Sequence, residues 1–201
     1  MMFTSSRSKE RSKGLKEANY ILGNKGDVFS IHYSCECFNR SKSSRPRVTS
    51  ISIYNVATRE QNSFNIHVEA QLKSYNCKRL SENDLDASER SLLHRFYKFV
   101  NNNHGCIWVH WNMKNSKYGF DALSIRYKFL TKRSAPKVRA QQCYNLDVLL
   151  RKLYGHNFEV DTCNSKLLNL AKRNNIPFKG MLLGAEEANA FSAKNYQAIM
   201  E

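Results

Sequence analysis

The segment Trp108-Val-His-Trp-Asn-Met-Lys-Asn-Ser-Lys-Tyr-Gly-Phe-Asp121 holds the densest set of chemically able side chains in this chain. The compact apolar run Cys106 to His110 reads as a buried strand, which puts His110 and Asn112 at a strand terminus. Past Tyr118-Gly119 a helix is expected to begin beside Asp121. Strand C-termini facing helix N-termini are where open α/β sheets place ligand sites. An imidazole there can move a proton and a carboxylate can hold a hard cation. Trp108 and Trp111 flank His110 and offer either stacking surfaces for unpaired bases or core and rim packing.

A second group is His32, Ser34, Cys35, Glu36 and Cys37, within the strand-like run 28–38. His32-x-x-Cys35-x-Cys37 invites a zinc reading, but side chains alternate along a strand. Cys35 and Cys37 then share one face and His32 takes the other, so buried thiols are expected and no zinc. The same alternation gathers His32, Ser34 and Glu36 opposite the cysteines, as a polar site or an exposed sheet face. Arg45, Arg47, Lys132, Arg133, Lys137 and Arg139 fall in two expected loops, 39–47 and 131–142, and are candidates to flank a nucleic-acid groove. No phosphate-loop, H-E-x-x-H or G-x-S-x-G pattern occurs.

His110, Asn112 and Phe120-Asp121 resemble the second motif of the DnaQ-like (DEDD) 3′–5′ exonucleases of the RNase H-like superfamily, where a strand delivers His-Asn and a metal-binding Asp starts the next helix. Ser34-Cys35-Glu36 is similar to the family's first motif, Asp-x-Glu, with serine in place of the aspartate. Asn145-Leu-Asp147 through Tyr154-Gly155 resembles its third region, and His156-x-x-x-x-Asp161 has the spacing of its last motif. The resemblance spans roughly residues 28–161 and implies Mg²⁺ or Mn²⁺ held by Glu36, Asp121 and Asp161. It also implies Asn112 and His110 positioning the scissile strand, with His110 or His32 as a general base. Two-metal nucleases keep their ions about 3.5–4 Å apart on carboxylate oxygens. Ser34 removes one bridging ligand, so the alternative is a non-catalytic domain binding nucleic acid or a protein partner. The family's last Asp lies in a C-terminal helix, where Glu186 and Glu187 are weak substitutes for it.

The elements that must position these residues follow from periodicity. Strands are expected at 28–38, 47–58 and 64–72, the last from the alternation of Phe64, Ile66, Val68 and Ala70. Residues 58–63 read as a polar turn closing an antiparallel hairpin. Leu92, Leu93, Phe96, Phe99 and Val100 lie at helical spacing behind an acidic, cap-rich start at 81–86. Further helices are expected after Phe120, at Leu146 to Tyr154, Ser165 to Arg173 and Glu186 to Met200. This order implies an α/β (mixed α+β) fold: an RNase H-like mixed sheet with an antiparallel hairpin, flanked by helices, with a helical C-terminal half.

The whole chain has 201 residues, 41% hydrophobic and 24% charged, and carries a formal net charge of +15 from 32 Lys+Arg against 17 Asp+Glu. That is a globular balance of one domain's size. We expect residues 1–18 to be a flexible basic arm and 19–201 a single domain, of this chain or of a longer parent chain. An excess this large repels itself and calls for an anionic partner, DNA or RNA first and a membrane surface second. No run approaches the roughly 20 apolar residues of a membrane span. The basic N-terminus lacks the apolar stretch of a secretory signal, and six scattered cysteines suit reduced thiols, so a cytoplasmic location is expected.

Overall fold

Residues 6–36, 46–113, 117–158, 166–177, 182 and 184–195 are described in a computed structural model of the chain. Five strands, β1 (Val28–Cys35), β2 (Val48–Asn55), β3 (Gln61–Asn65), β4 (Ile107–His110) and β5 (Cys143–Asn145), form one sheet in the order β3-β2-β1-β4-β5. The pairs β1/β2 and β2/β3 are antiparallel, whereas β4 runs parallel to β1 and β5 parallel to β4. The helices among the described residues are α1 (Ser6–Gly23), α2 (Ile66–Leu72), α3 (Glu82–Asn102), α4 (Phe120–Thr131), α5 (Leu146–Tyr154), α6 (Lys166–Arg173) and α7 (Gly184–Ser192). The fold is thus the expected α/β mixed sheet with an antiparallel hairpin and flanking helices, an arrangement consistent with the RNase H-like one. None of these helices is long and apolar enough to cross a membrane.

One face of the sheet is apolar. Phe29, Ile31, Tyr33, Ile51, Ile53, Phe64 and Trp108 pack against Leu92, Leu93, Phe96 and Val100 of α3 and Leu123, Tyr127 and Leu130 of α4. Each such side chain, when fully buried, stabilises the fold by about 1.5–3 kcal/mol. Ser81 caps α3 in a reciprocal capping box with Asp84, which explains why the acid-rich segment starts the helix there. Residues of opposite parity face the other way: His32 pairs across the ladder with Ser52, Ser30 with Tyr54, and Ser52 with Ser63. The other side of the sheet is therefore polar along β1, β2 and β3.

Three expectations change. The alternation at 64–72 is not one strand: β3 ends at Asn65 and Ile66 starts α2. Ile66 and Ala70 also satisfy helical i, i+4 spacing, and both are buried. Polar Gln61 and Ser63, read as turn, are instead strand residues on the polar face, where Gln61 Nε2 donates to Ser52 Oγ at 3.2 Å. The short β5 lies between the expected basic linker and the next helix, and three residues are too few to show a period.

The expected N-terminal arm is helical from Ser6 and docks on α5. A Cβ on Gly14 would stand 2.9 Å from Lys152 Cβ, so glycine permits the close approach. Arg7 donates to the Arg151 and Lys152 carbonyls at 3.1 and 2.9 Å, satisfying the end of α5, and Lys152 donates to Glu17 at 2.6 Å. Such a contact has no apolar stripe, so hydrophobic periodicity did not reveal it.

Candidate nucleic-acid interface

β4 ends at His110, and the chain turns through Asn112, whose left-handed φ of 55° asparagine tolerates well. The His110 ring is buried, and its Nδ1 accepts the Met113 N–H at 3.3 Å. Asn112 and Asn145 clasp one another: the Asn112 backbone N–H donates to Asn145 Oδ1, and Asn145 Nδ2 donates to Asn112 Oδ1, both at 3.3 Å. Asn145 Oδ1 also accepts the Asp147 N–H at 3.1 Å, capping α5. Asn112 thus joins the ends of two parallel strands, and the residues resembling the third region, Asn145-Leu-Asp147, begin α5 beside it. At the far end Gly155 adopts φ 102°, which stops the helix at little cost.

On the polar face a cleft of about 270 Å³ opens where β4 ends. His32, Ser52, Tyr54 and Trp111 line it together with Leu146 of α5 and Leu167 of α6. Trp111 is half-buried and Tyr54 exposed, while Trp108 lies in the core against Phe29 and Phe99. Next to the cleft, Glu187 of α7 meets β1: its Oε1 lies 3.5 Å from His32 Nε2, and Ser34 donates a second hydrogen bond to it. Burial raises the Glu187 carboxyl, but these hydrogen bonds and the His32 charge outweigh it and hold it below the usual carboxylate range. Cys35 packs against the apolar core, on the opposite side of β1 from His32.

Glu36 does not join His32 and Ser34 as the alternation implied. The β1/β2 register shifts between Ser34 and Cys35, and Glu36 Oε1 accepts from Arg47 at 2.7 Å. Arg47, expected as a loop charge for nucleic acid, is only 7% exposed. It also donates to Glu82 and Asp86 of α3, each at 2.8 Å. Glu89, fully buried one helical turn on, accepts from Arg126 Nε at 2.8 Å and from the Val48 N–H at 2.8 Å. Arg126 bridges back to Asp86 at 3.2 Å. Burial opposes the Arg47 charge, and the surrounding carboxylates more than restore it. Burial raises the Glu89 carboxyl, against the pull of Arg126, the Val48 amide and Arg47.

Of the three acids in the two-metal site that the resemblance implies, Glu36 and Asp121 lie among the described residues. Glu36 is held by a guanidinium, whose charge repels a divalent ion from the same oxygens. Asp121 is exposed in the first turn of α4, where its charge acts on Tyr97 and on Cys143 of β5. Among the described residues no three His, Cys, Asp or Glu side chains converge for a metal. Asp161 and Arg45 lie outside the described residues. Lys132, Arg133, Lys137 and Arg139 are exposed on the chain between α4 and β5.

Sequence reasoning missed Tyr54, Arg126 and the acids of α3. Glu82, Asp86 and Glu89 are spaced four and three apart, an acidic stripe visible on a helical wheel. The chain matches no protein-family model and no curated protein.

Proposed function

We propose that this chain binds single-stranded nucleic acid, taking an unpaired base into the cleft that Trp111 and Tyr54 line, without hydrolysing the strand. The observation that carries this reading is the half-buried Trp111 beside Tyr54 and His32 in a largely apolar cleft at a strand terminus. The net charge of +15 supplies sequence-independent attraction to phosphate. With Glu36 bound to Arg47, the acid of the first motif serves the fold. A reducing cytosol suits the free thiols of Cys35, Cys77, Cys106 and Cys143.

Trp111 also supplies the test. It and the buried Trp108 are the two tryptophans, so a base stacked in the cleft quenches the emission of Trp111 and leaves that of Trp108. Titration with single-stranded DNA and RNA is expected to quench the wild type and not Trp111→Phe. Trp111→Ala is expected to weaken binding by about 1–3 kcal/mol. Absence of binding at low salt, or binding indifferent to Trp111→Ala, overturns the reading. Parallel incubations with Mn²⁺ or EDTA address chemistry: metal-dependent shortening lost in Asp121→Ala would return the exonuclease reading.

A further inference from the structure

A second concavity lies on the other side of the sheet, over the helical layer. It measures about 770 Å³ and runs between α3 and the C-terminal end of α4, with α2 at one side. Arg90, His94 and Arg95 of α3 line it together with Lys132, Arg133 and Glu69. Four cationic side chains thus face one carboxylate. Glu69 takes Arg95 at 2.6 Å, while among the described residues no carboxylate pairs with Arg90, Lys132 or Arg133. Arg90 is not a loose surface charge, because its Nε donates to the Leu130 carbonyl at 3.1 Å, which orients the guanidinium in the groove. Lys132 is similarly placed: its Nζ donates to the Phe129 carbonyl at 3.0 Å and sits over the Phe129 ring.

The geometry points to this groove as a binding site for the phosphodiester backbone of a nucleic-acid strand. The inference rests on the proposed nucleic-acid binding and names a second contact surface for it. Arg90 and Lys132, each held by a backbone carbonyl and without a carboxylate on it among the described residues, are the arrangement that phosphate oxygens complete. A concave groove admits a strand, whereas a bilayer presents a flat surface to amphipathic faces. The cleft and the groove lie on opposite layers of the sheet, so a single strand meets both only by wrapping the domain.

The test is the salt dependence of binding to labelled single-stranded DNA and RNA, for the wild type, Lys132→Gln/Arg133→Gln and Trp111→Ala. Each phosphate neutralised contributes about 0.7 to the slope of log K against log salt on a single strand. The double variant is expected to lower that slope by about 1.4, and Trp111→Ala to weaken binding with the slope kept. A wild type that binds through Trp111 and a double variant with an unchanged slope overturn the groove alone. A wild type that does not bind at all overturns the parent reading and the groove with it. Capture of the wild type by phosphatidylserine vesicles, lost in the double variant while nucleic-acid binding is unaltered, would reassign the groove to anionic lipid. Should the double variant lose its circular-dichroism spectrum, Arg133→Gln alone carries the test. Its side chain makes no hydrogen bond among the described residues, and its expected slope change is about 0.7.

Discussion

Two sets of cations lean on helix α3, and they are handled in opposite ways. Near its N-terminal end Arg47 and Arg126, each nearly buried, are enclosed by Glu36, Glu82, Asp86 and Glu89. Further along, Arg90, Lys132 and Arg133 line an open groove with no carboxylate on them among the described residues. Desolvation explains the contrast: a buried charge left unpaired costs several kcal/mol, whereas a hydrated one tolerates solitude. Glu82 sits in the first turn of α3, at the positive end of its dipole, and Lys132 and Arg133 follow the negative end of α4. Four of the chain's 17 acidic residues are thus gathered around two arginines, and the surface left over is more basic than composition alone conveys.

The comparison breaks most sharply at Glu89. Glu89→Ala removes the buried acceptor of Arg126 Nε and of the Val48 N–H and is expected to destabilise the fold by about 3–5 kcal/mol, read from urea unfolding midpoints. A loss under about 1 kcal/mol would mean that the cluster relaxes into solvent. Arg47→Leu is expected to cost less, about 2 kcal/mol, because Glu36 and Glu82 can rehydrate where Glu89 cannot.

Glu187 gives a smaller, pH-dependent effect. Its folded pKa is depressed, so the unfolded chain takes up this proton first as pH falls below about 4.3. Its contribution to stability is whole above that pH and is lost as pH falls through the folded value. His32→Ala is expected to raise the folded value and flatten the acid limb of a Tm-against-pH curve. An unaltered acid limb would show that His32 does not hold Glu187. Smallest of all, Lys132→Gln/Arg133→Gln is expected to shift stability by no more than about 0.5 kcal/mol in the same urea assay. A larger loss would make these cations structural and erase the contrast.

How much of this was legible depended on the range of the interactions. α5 was readable to the residue, since Asn145 caps it and Gly155 ends it within a single local window. The strands β1, β2 and β4 were readable because one side of each meets a continuous apolar core. The helix α1 was not, because it docks through Gly14, Arg7 and Glu17 on α5, more than a hundred residues away in the chain. The division of 61–72 into β3 and α2 was not, because Ile66 and Ala70 satisfy both periods.

In the candidate site, the positions of His110 and Asn112 at a strand end were legible, while their partners were not. A strand period says which side of a sheet a residue faces, yet a register shift at Ser34/Cys35 sent Glu36 to Arg47, and Glu187 came to His32 from a distant helix. Sequence alone thus determined the fold class, the strand and helix faces and the excess of positive charge, because these depend on side-chain type and local period. Only the tertiary structure decided which charges are paired, since a pair is a distance and a dielectric that no local pattern encodes.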